Sequence, residues 1–113
     1  MLIVKDTISR DELKKIAAKL FGDMVKAVID IDRGLIAVDA ELHSDLEAVL
    51  IEDGSHTTAL WGINLYPELS GEDYLEFDSL INVKPSVANR TRGVEDEKLR
   101  ERIKNIVAKR ITV

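Results

Sequence analysis

The chain has 113 residues, 45% of them hydrophobic and 33% charged, with a formal net charge of −5; this is the size of one domain, able to bury roughly two thirds of the surface its unfolded form exposes. Apolar runs such as Ala48-Val49-Leu50-Ile51 fall far short of the ~20 residues that span a bilayer, and Met1-Leu2-Ile3-Val4-Lys5 lacks the basic start and long apolar stretch of a signal peptide, so residues 1–113 are expected to form a single cytoplasmic domain. The absence of cysteine excludes disulfides, thiolate metal sites and cysteine nucleophiles, and the acidic balance argues against a general nucleic-acid coat, which needs surplus Lys and Arg.

The first predicted helix covers residues 10–21. Ser9 and Glu12 have N-cap and N3 spacing, Ile8 and Leu13 fall at staple positions, and Gly22 suits a left-handed C-cap. Leu13, Ile16, Ala17, Leu20 and Phe21 recur at three and four and make one buried stripe.

Alternation follows. Val25, Ala27, Ile29 and Ile31 share one strand face, and Ile36, Val38, Ala40 and Leu42 another. A two-residue turn at Arg33-Gly34 would pair Ile31 with Ile36, Ile29 with Val38, Ala27 with Ala40 and Val25 with Leu42, setting Lys26 opposite Glu41. Ser44 and Glu47 repeat the capping-box spacing and Gly54 stops the run, which predicts a short helix over residues 45–53.

A second alternating pair places Ala59, Trp61, Ile63 and Leu65 on one face and Leu75, Phe77, Ile81 and Val83 on the facing one, across a loop rich in breakers. If Leu65 pairs with Leu75, Trp61 faces Ser79. Pro85 ends the last strand, and Leu99, Ile103, Ile106 and Val107 mark an amphipathic helix beginning near Glu95 or Asp96.

Together these elements predict an α+β fold: an antiparallel sheet of four to five strands, Leu2-Ile3-Val4 being the fifth, with three helices packed mainly on one face. The opposite face would carry Lys26, Asp30, Asn64, Asp78 and Asn82, among others, interspersed with Val28, Leu60, Leu80 and Tyr66. Such apolar residues on an open face favour a covering partner, and a homodimer is the expected one.

Charge is sorted along the chain. Residues 1–83 hold seven Lys/Arg against seventeen Asp/Glu, and residues 84–113 hold nine against four. At the junction, Asn89, Arg90, Thr91 and Arg92 offer two guanidinium forks, an amide and a hydroxyl beside a helix start, a set suited to a small anionic ligand or an acidic partner surface. The loop lacks both glycine-rich phosphate-binding patterns, and Glu95, Asp96 and Glu97 crowd the same helix start, so a structural loop is the plainer reading.

A metal-dependent hydrolase is the enzymatic alternative. Asp39, Glu41 and His43, at alternate positions of a strand continuing to residue 43, could present two carboxylates and an imidazole to a divalent ion, with Asp45 nearby. A solvated strand face explains the same alternation. No other cofactor is indicated, no serine occupies a nucleophile elbow, and the aromatic residues Trp61, Tyr66 and Tyr74 lie in the acidic region, away from the basic residues a single-strand binder would interleave with them.

Leu60-Trp61-Gly62-Ile63-Asn64-Leu65-Tyr66-Pro67, Ser79-Leu80-Ile81-Asn82-Val83-Lys84-Pro85, Asn89-Arg90-Thr91-Arg92-Gly93-Val94-Glu95-Asp96 and Leu42-His43-Ser44-Asp45-Leu46-Glu47 together resemble a family of short prokaryotic proteins classified only as a domain of unknown function. The resemblance covers nearly the whole chain and implies a stand-alone domain, with no catalytic residue to transfer. The lack of glutamine amid many charges is a pattern seen in thermophiles.

Overall fold

The computed structural model describes all residues 1–113. Its elements are β1 (Leu2–Val4), β2 (Ile8–Ser9), α1 (Arg10–Leu20), β3 (Val25–Asp30), β4 (Leu35–Val38), α2 (His43–Glu52), β5 (Leu60–Leu65), β6 (Leu75–Glu76), α3 (Glu97–Arg110) and β7 (Ile111–Thr112). Five strands form one antiparallel sheet in the order β1-β4-β3-β5-β6, which gives the expected α+β class. No helix is long and apolar enough to cross a membrane.

The three inner strands have little to show to water. Val28 and Ile29 are neighbours in sequence, point to opposite faces and are both fully buried, so both faces of the sheet are covered. On one face, Leu13 and Ala17 of α1 and Ile103 and Val107 of α3 pack onto Ala27, Ile29, Ile36, Val38, Trp61 and Ile63. On the other, Leu46 and Leu50 of α2 pack onto Val28, Ala37 and Leu60. Two helices therefore share a face as predicted, while α2 crosses over and buries Val28 and Leu60, two of the residues expected on an open face.

The β3–β4 register differs from the predicted one by two residues: Ala27 pairs with Val38, Ile29 with Ile36 and Asp30 with Leu35. Asp30 is the cause. Its carboxylate accepts the backbone N–H groups of Asp32 and Arg33 at 2.9 and 3.0 Å, and its carbonyl accepts that of Gly34 at 2.9 Å, so residues 31–34 all belong to the turn. A shift of two keeps each side chain on its face, and the core composition survives. Lys26 lies opposite Asn64 rather than Glu41.

Beyond Val38 the ladder stops. Asp39 takes a left-handed conformation (φ +74°), the chain leaves the sheet, and Leu42 becomes 53% exposed instead of pairing with Val25. The second hairpin pairs Leu65 with Leu75 as predicted, yet β6 has two residues and then departs. Residues 80–82 form a 3-10 turn, Ile81 packs with the α2 layer, and Val83 is exposed.

Helix ends follow their local chemistry. Ser9 Oγ accepts the Glu12 N–H at 3.1 Å, and Gly22 (φ +94°) donates its N–H to the Ala17 carbonyl. Phe21 caps α1 at 38% exposure, outside the buried stripe predicted for it. The Ser44 capping box does not form: α2 starts two residues earlier with Leu42 as an N-cap that makes no side-chain hydrogen bond. For α3, Asp96 Oδ1 accepts the Lys98 N–H at 2.9 Å. A short parallel pair missed in the sequence, β2 with β7, ties the start of α1 to the end of α3.

Candidate functional site

The strand face that would gather Asp39, Glu41 and His43 is absent because β4 ends before it. Asp39 pairs with Lys19 at 2.8 Å, Glu41 is exposed, and Asp45 is exposed in the first turn of α2. His43 opens α2 with its ring turned inward, where Nε2 donates to the Ile63 carbonyl at 2.8 Å. Burial lowers its pKa, and the carbonyl opposes that shift. No group of three or more His, Asp or Glu side chains in the chain is placed to hold a metal ion.

The loop of Asn89, Arg90, Thr91 and Arg92 is held by its own amides. Asn89 is buried; its Nδ2 donates to the carbonyls of Asn82, Thr91 and Gly93, and its Oδ1 accepts the Glu95 N–H at 2.9 Å. Every polar position of that side chain is engaged inside the fold. Arg92 Nε donates to Asp78 at 2.6 Å, a hydrogen bond that also holds the Asp78 carboxyl below its ordinary range. Thr91 and Arg90 are exposed, and Arg90 is the one guanidinium of the loop with no carboxylate in bridging distance.

Asn82 does the same work on the sheet side. Its Oδ1 accepts the Gly62 N–H at 2.7 Å and its Nδ2 donates to the Gly62 carbonyl at 2.9 Å and to the Arg92 carbonyl at 2.8 Å. A side-chain amide thus continues the ladder on β5 where β6 has ended. Nearby, the Lys84 ammonium lies 5.8 Å from the Trp61 ring and 3.7 Å from Glu47; burial lowers its pKa, with Glu47 opposing.

The surplus cations of the C-terminal stretch line clefts along α3. The larger cleft, about 710 Å³, lies between α3 and the Gly71–Phe77 segment. Half-buried Tyr74, Leu75 and Phe77 form one wall and Val107, Ala108 and Ile111 the other. Arg10, Arg100 and Lys104 line it as well, with Glu72 as the one acidic side chain. The volume and mixed lining are those of small-molecule sites, which combine an apolar body with a few convergent polar groups.

These cations are oriented by the fold. The Arg10 guanidinium stacks 4.1 Å over Tyr74 while Nη1 donates to the carbonyls of Pro67 and Leu69, both at 3.2 Å. Arg100, one helical turn beyond Asp96, donates to the carbonyls of Val94 and Glu95 at 2.6 and 3.1 Å. Neutral acceptors position both guanidiniums without cancelling their charge. Lys104 meets Glu101 at 3.5 Å, as its helical spacing predicts. Burial raises the Tyr74 phenol pKa, so the ring stays neutral beside Arg10.

Nothing in the sequence marked this cleft, because its walls come from segments far apart in the chain. The available signal was the continuation of the α3 stripe past Val107 to Ala108 and Ile111, with Arg100 and Lys104 one turn apart beside it. A family model described as a protein of unknown function (DUF5674) matches residues 2–110. No curated protein matches the chain, and no solved structure does.

Proposed function

The chain belongs to this family of proteins of unknown function, and we propose that it is a small binding module whose α3 cleft takes a ligand with an apolar body and one anionic group. The observation that carries this reading is the sign of the cleft: three cations line it with one acidic side chain, and two of them, Arg10 and Arg100, have no carboxylate partner, around an apolar lining on a chain whose net charge is −5. A carboxylate or phosphate at the margin would meet guanidiniums already held in place, and the body would remove Leu75, Phe77 and Ala108 from water. On a chain of net negative charge, this local surplus of cations makes the cleft a favourable approach for an anion.

Thermal denaturation with matched aryl and alkyl carboxylates, alcohols and amines tests the reading. The carboxylates should raise the melting temperature in a saturable manner, the alcohols weakly and the amines not at all. Equal responses across the three classes would remove the anionic requirement and with it the proposal.

Self-association is a second reading with its own support. Leu80, Val83 and Val87 are 70%, 42% and 39% exposed within eight residues of one loop, an apolar surface beside β5 that a second copy could cover. It replaces the open sheet face, now under α2, as the reason to expect a homodimer. Sedimentation at micromolar concentration should give a species above 12.6 kDa that Leu80→Ser returns to monomer mass; a monomer throughout contradicts it.

A further inference from the structure

On the opposite flank of α3 lies a second, smaller cleft of about 330 Å³, between the helix and the β3–β4 turn. Arg33, Arg102, Lys109 and Arg110 line it, with Asp32 as the one carboxylate. Residues 102, 109 and 110 fall on one face of the helix, facing the turn. We infer that this cleft is a seat for a small phosphate-bearing ligand, separate from the apolar cleft.

The charge balance within the cleft is the first argument. Arg33 is neutralised by Asp53 at 2.7 Å and donates to Ser55 Oγ, whereas Arg102, Lys109 and Arg110 have no carboxylate within bridging distance. Three uncompensated positive charges therefore share one small concavity, and their mutual repulsion is relieved by a multivalent anion.

Preorganisation is the second. Arg102 Nη2 donates to the Ile31 carbonyl at 3.0 Å and Arg110 Nε to the Gly34 carbonyl at 2.8 Å, so the two ends of the turn clamp the two guanidiniums. Arg110 Nη1 is fixed by the carbonyls of Lys5 and Asp6, while a Cβ added at Gly34 would lie 3.9 Å from Arg110 Nη2. Planar donors held by neutral oxygens keep both charge and spare N–H groups for phosphate oxygens.

The plainer explanation for basic residues at a helix C-terminus is the helix dipole. It covers the sign of Lys109 and Arg110. It does not cover Arg102, eight residues earlier, nor the direction of Arg110, whose hydrogen bonds all go to the turn and the N-terminal loop rather than to the last carbonyls of α3.

Calorimetric titration of the full chain with inorganic pyrophosphate at low ionic strength tests the assignment. Saturable one-site binding is expected, weakened roughly tenfold or more by Arg102→Met with Lys109→Met. Lys14→Met with Lys15→Met, which removes equal charge from α1, should leave it unchanged. Ala108→Trp, which fills the apolar cleft, should also leave it unchanged, so failure here is distinct from failure there. Backbone amide resonances of residues 31–34 and 102–110 should move on titration. Unsaturable binding, equal weakening by both charge-matched pairs, or shifts confined to other residues would overturn the inference.

Discussion

The side-chain amide of Asn82 bonds both backbone groups of Gly62, receiving its N–H at 2.7 Å and donating to its carbonyl at 2.9 Å. One asparagine thus stands in for a missing strand on the edge of β5. Asn82→Ala would leave the buried Gly62 N–H and Gly62 carbonyl without partners, while the Arg92 carbonyl would keep the Ser79 N–H at 2.9 Å. A loss of about 3 kcal/mol is expected in urea denaturation, from the desolvation of those groups. Asn82→Asp keeps the acceptor but turns a buried carboxylate oxygen toward the Gly62 and Arg92 carbonyls, and should be at least as destabilising as alanine.

Gly62 is constrained from its other side. A Cβ there would sit 2.5 Å from the Ser79 Cβ and 3.1 Å from the Ile81 Cγ1. Gly62→Ala should destabilise by about 2 kcal/mol through overpacking. Combining it with Ser79→Gly should recover part of that loss in a double-mutant cycle, since the nearest obstruction is then removed.

The parts of this fold readable from sequence are those fixed by neighbours in the chain. Ser9, Leu13, Ala17 and Gly22 specify α1, and Leu99, Ile103 and Val107 specify the buried face of α3 through three-and-four spacing alone. Where a distant or side-chain group decided the outcome, the pattern misled. The Asp30 carboxylate enlarges the first turn and moves its register; the left-handed Asp39 ends β4 early and draws His43 into α2. Asn82 and Asn89 read as polar strand and ligand positions, but their amides fasten the loop. The apolar cleft joins Arg10, Tyr74 and Lys104, which only the folded chain brings together.

His43 gives the fold a predictable pH response. Burial lowers its pKa below the ordinary 6.5, whereas the unfolded imidazole keeps that value. Above it both states are neutral; as pH falls through 6.5 toward the lower native value, the unfolded chain takes up a proton that the native chain does not, and stability declines. Urea midpoints should therefore drop between about pH 7.5 and about pH 5, and His43→Gln, which keeps a donor for the Ile63 carbonyl, should flatten that drop. An unchanged slope in the variant would assign the response to other groups.

Asn89 and Arg90 are adjacent in the loop and should behave oppositely. Asn89→Ala removes a buried amide engaged by four backbone groups and should cost about 3 kcal/mol. Arg90→Ala should leave stability unchanged, since its side chain is exposed and unpaired. A destabilised Arg90→Ala would give that guanidinium a structural contact it lacks here.

The most direct test of the binding module is calorimetric titration with 2-naphthoate and its neutral amide against three proteins: wild type, Lys104→Glu and Ala108→Trp. Both substitutions lie at exposed positions of α3 that line the cleft, so circular dichroism should report an intact fold. Naphthoate should bind wild type saturably and roughly tenfold more tightly than the amide, and both variants should lose that binding. Equal affinity for acid and amide, or naphthoate binding that survives both substitutions in folded protein, would contradict the account.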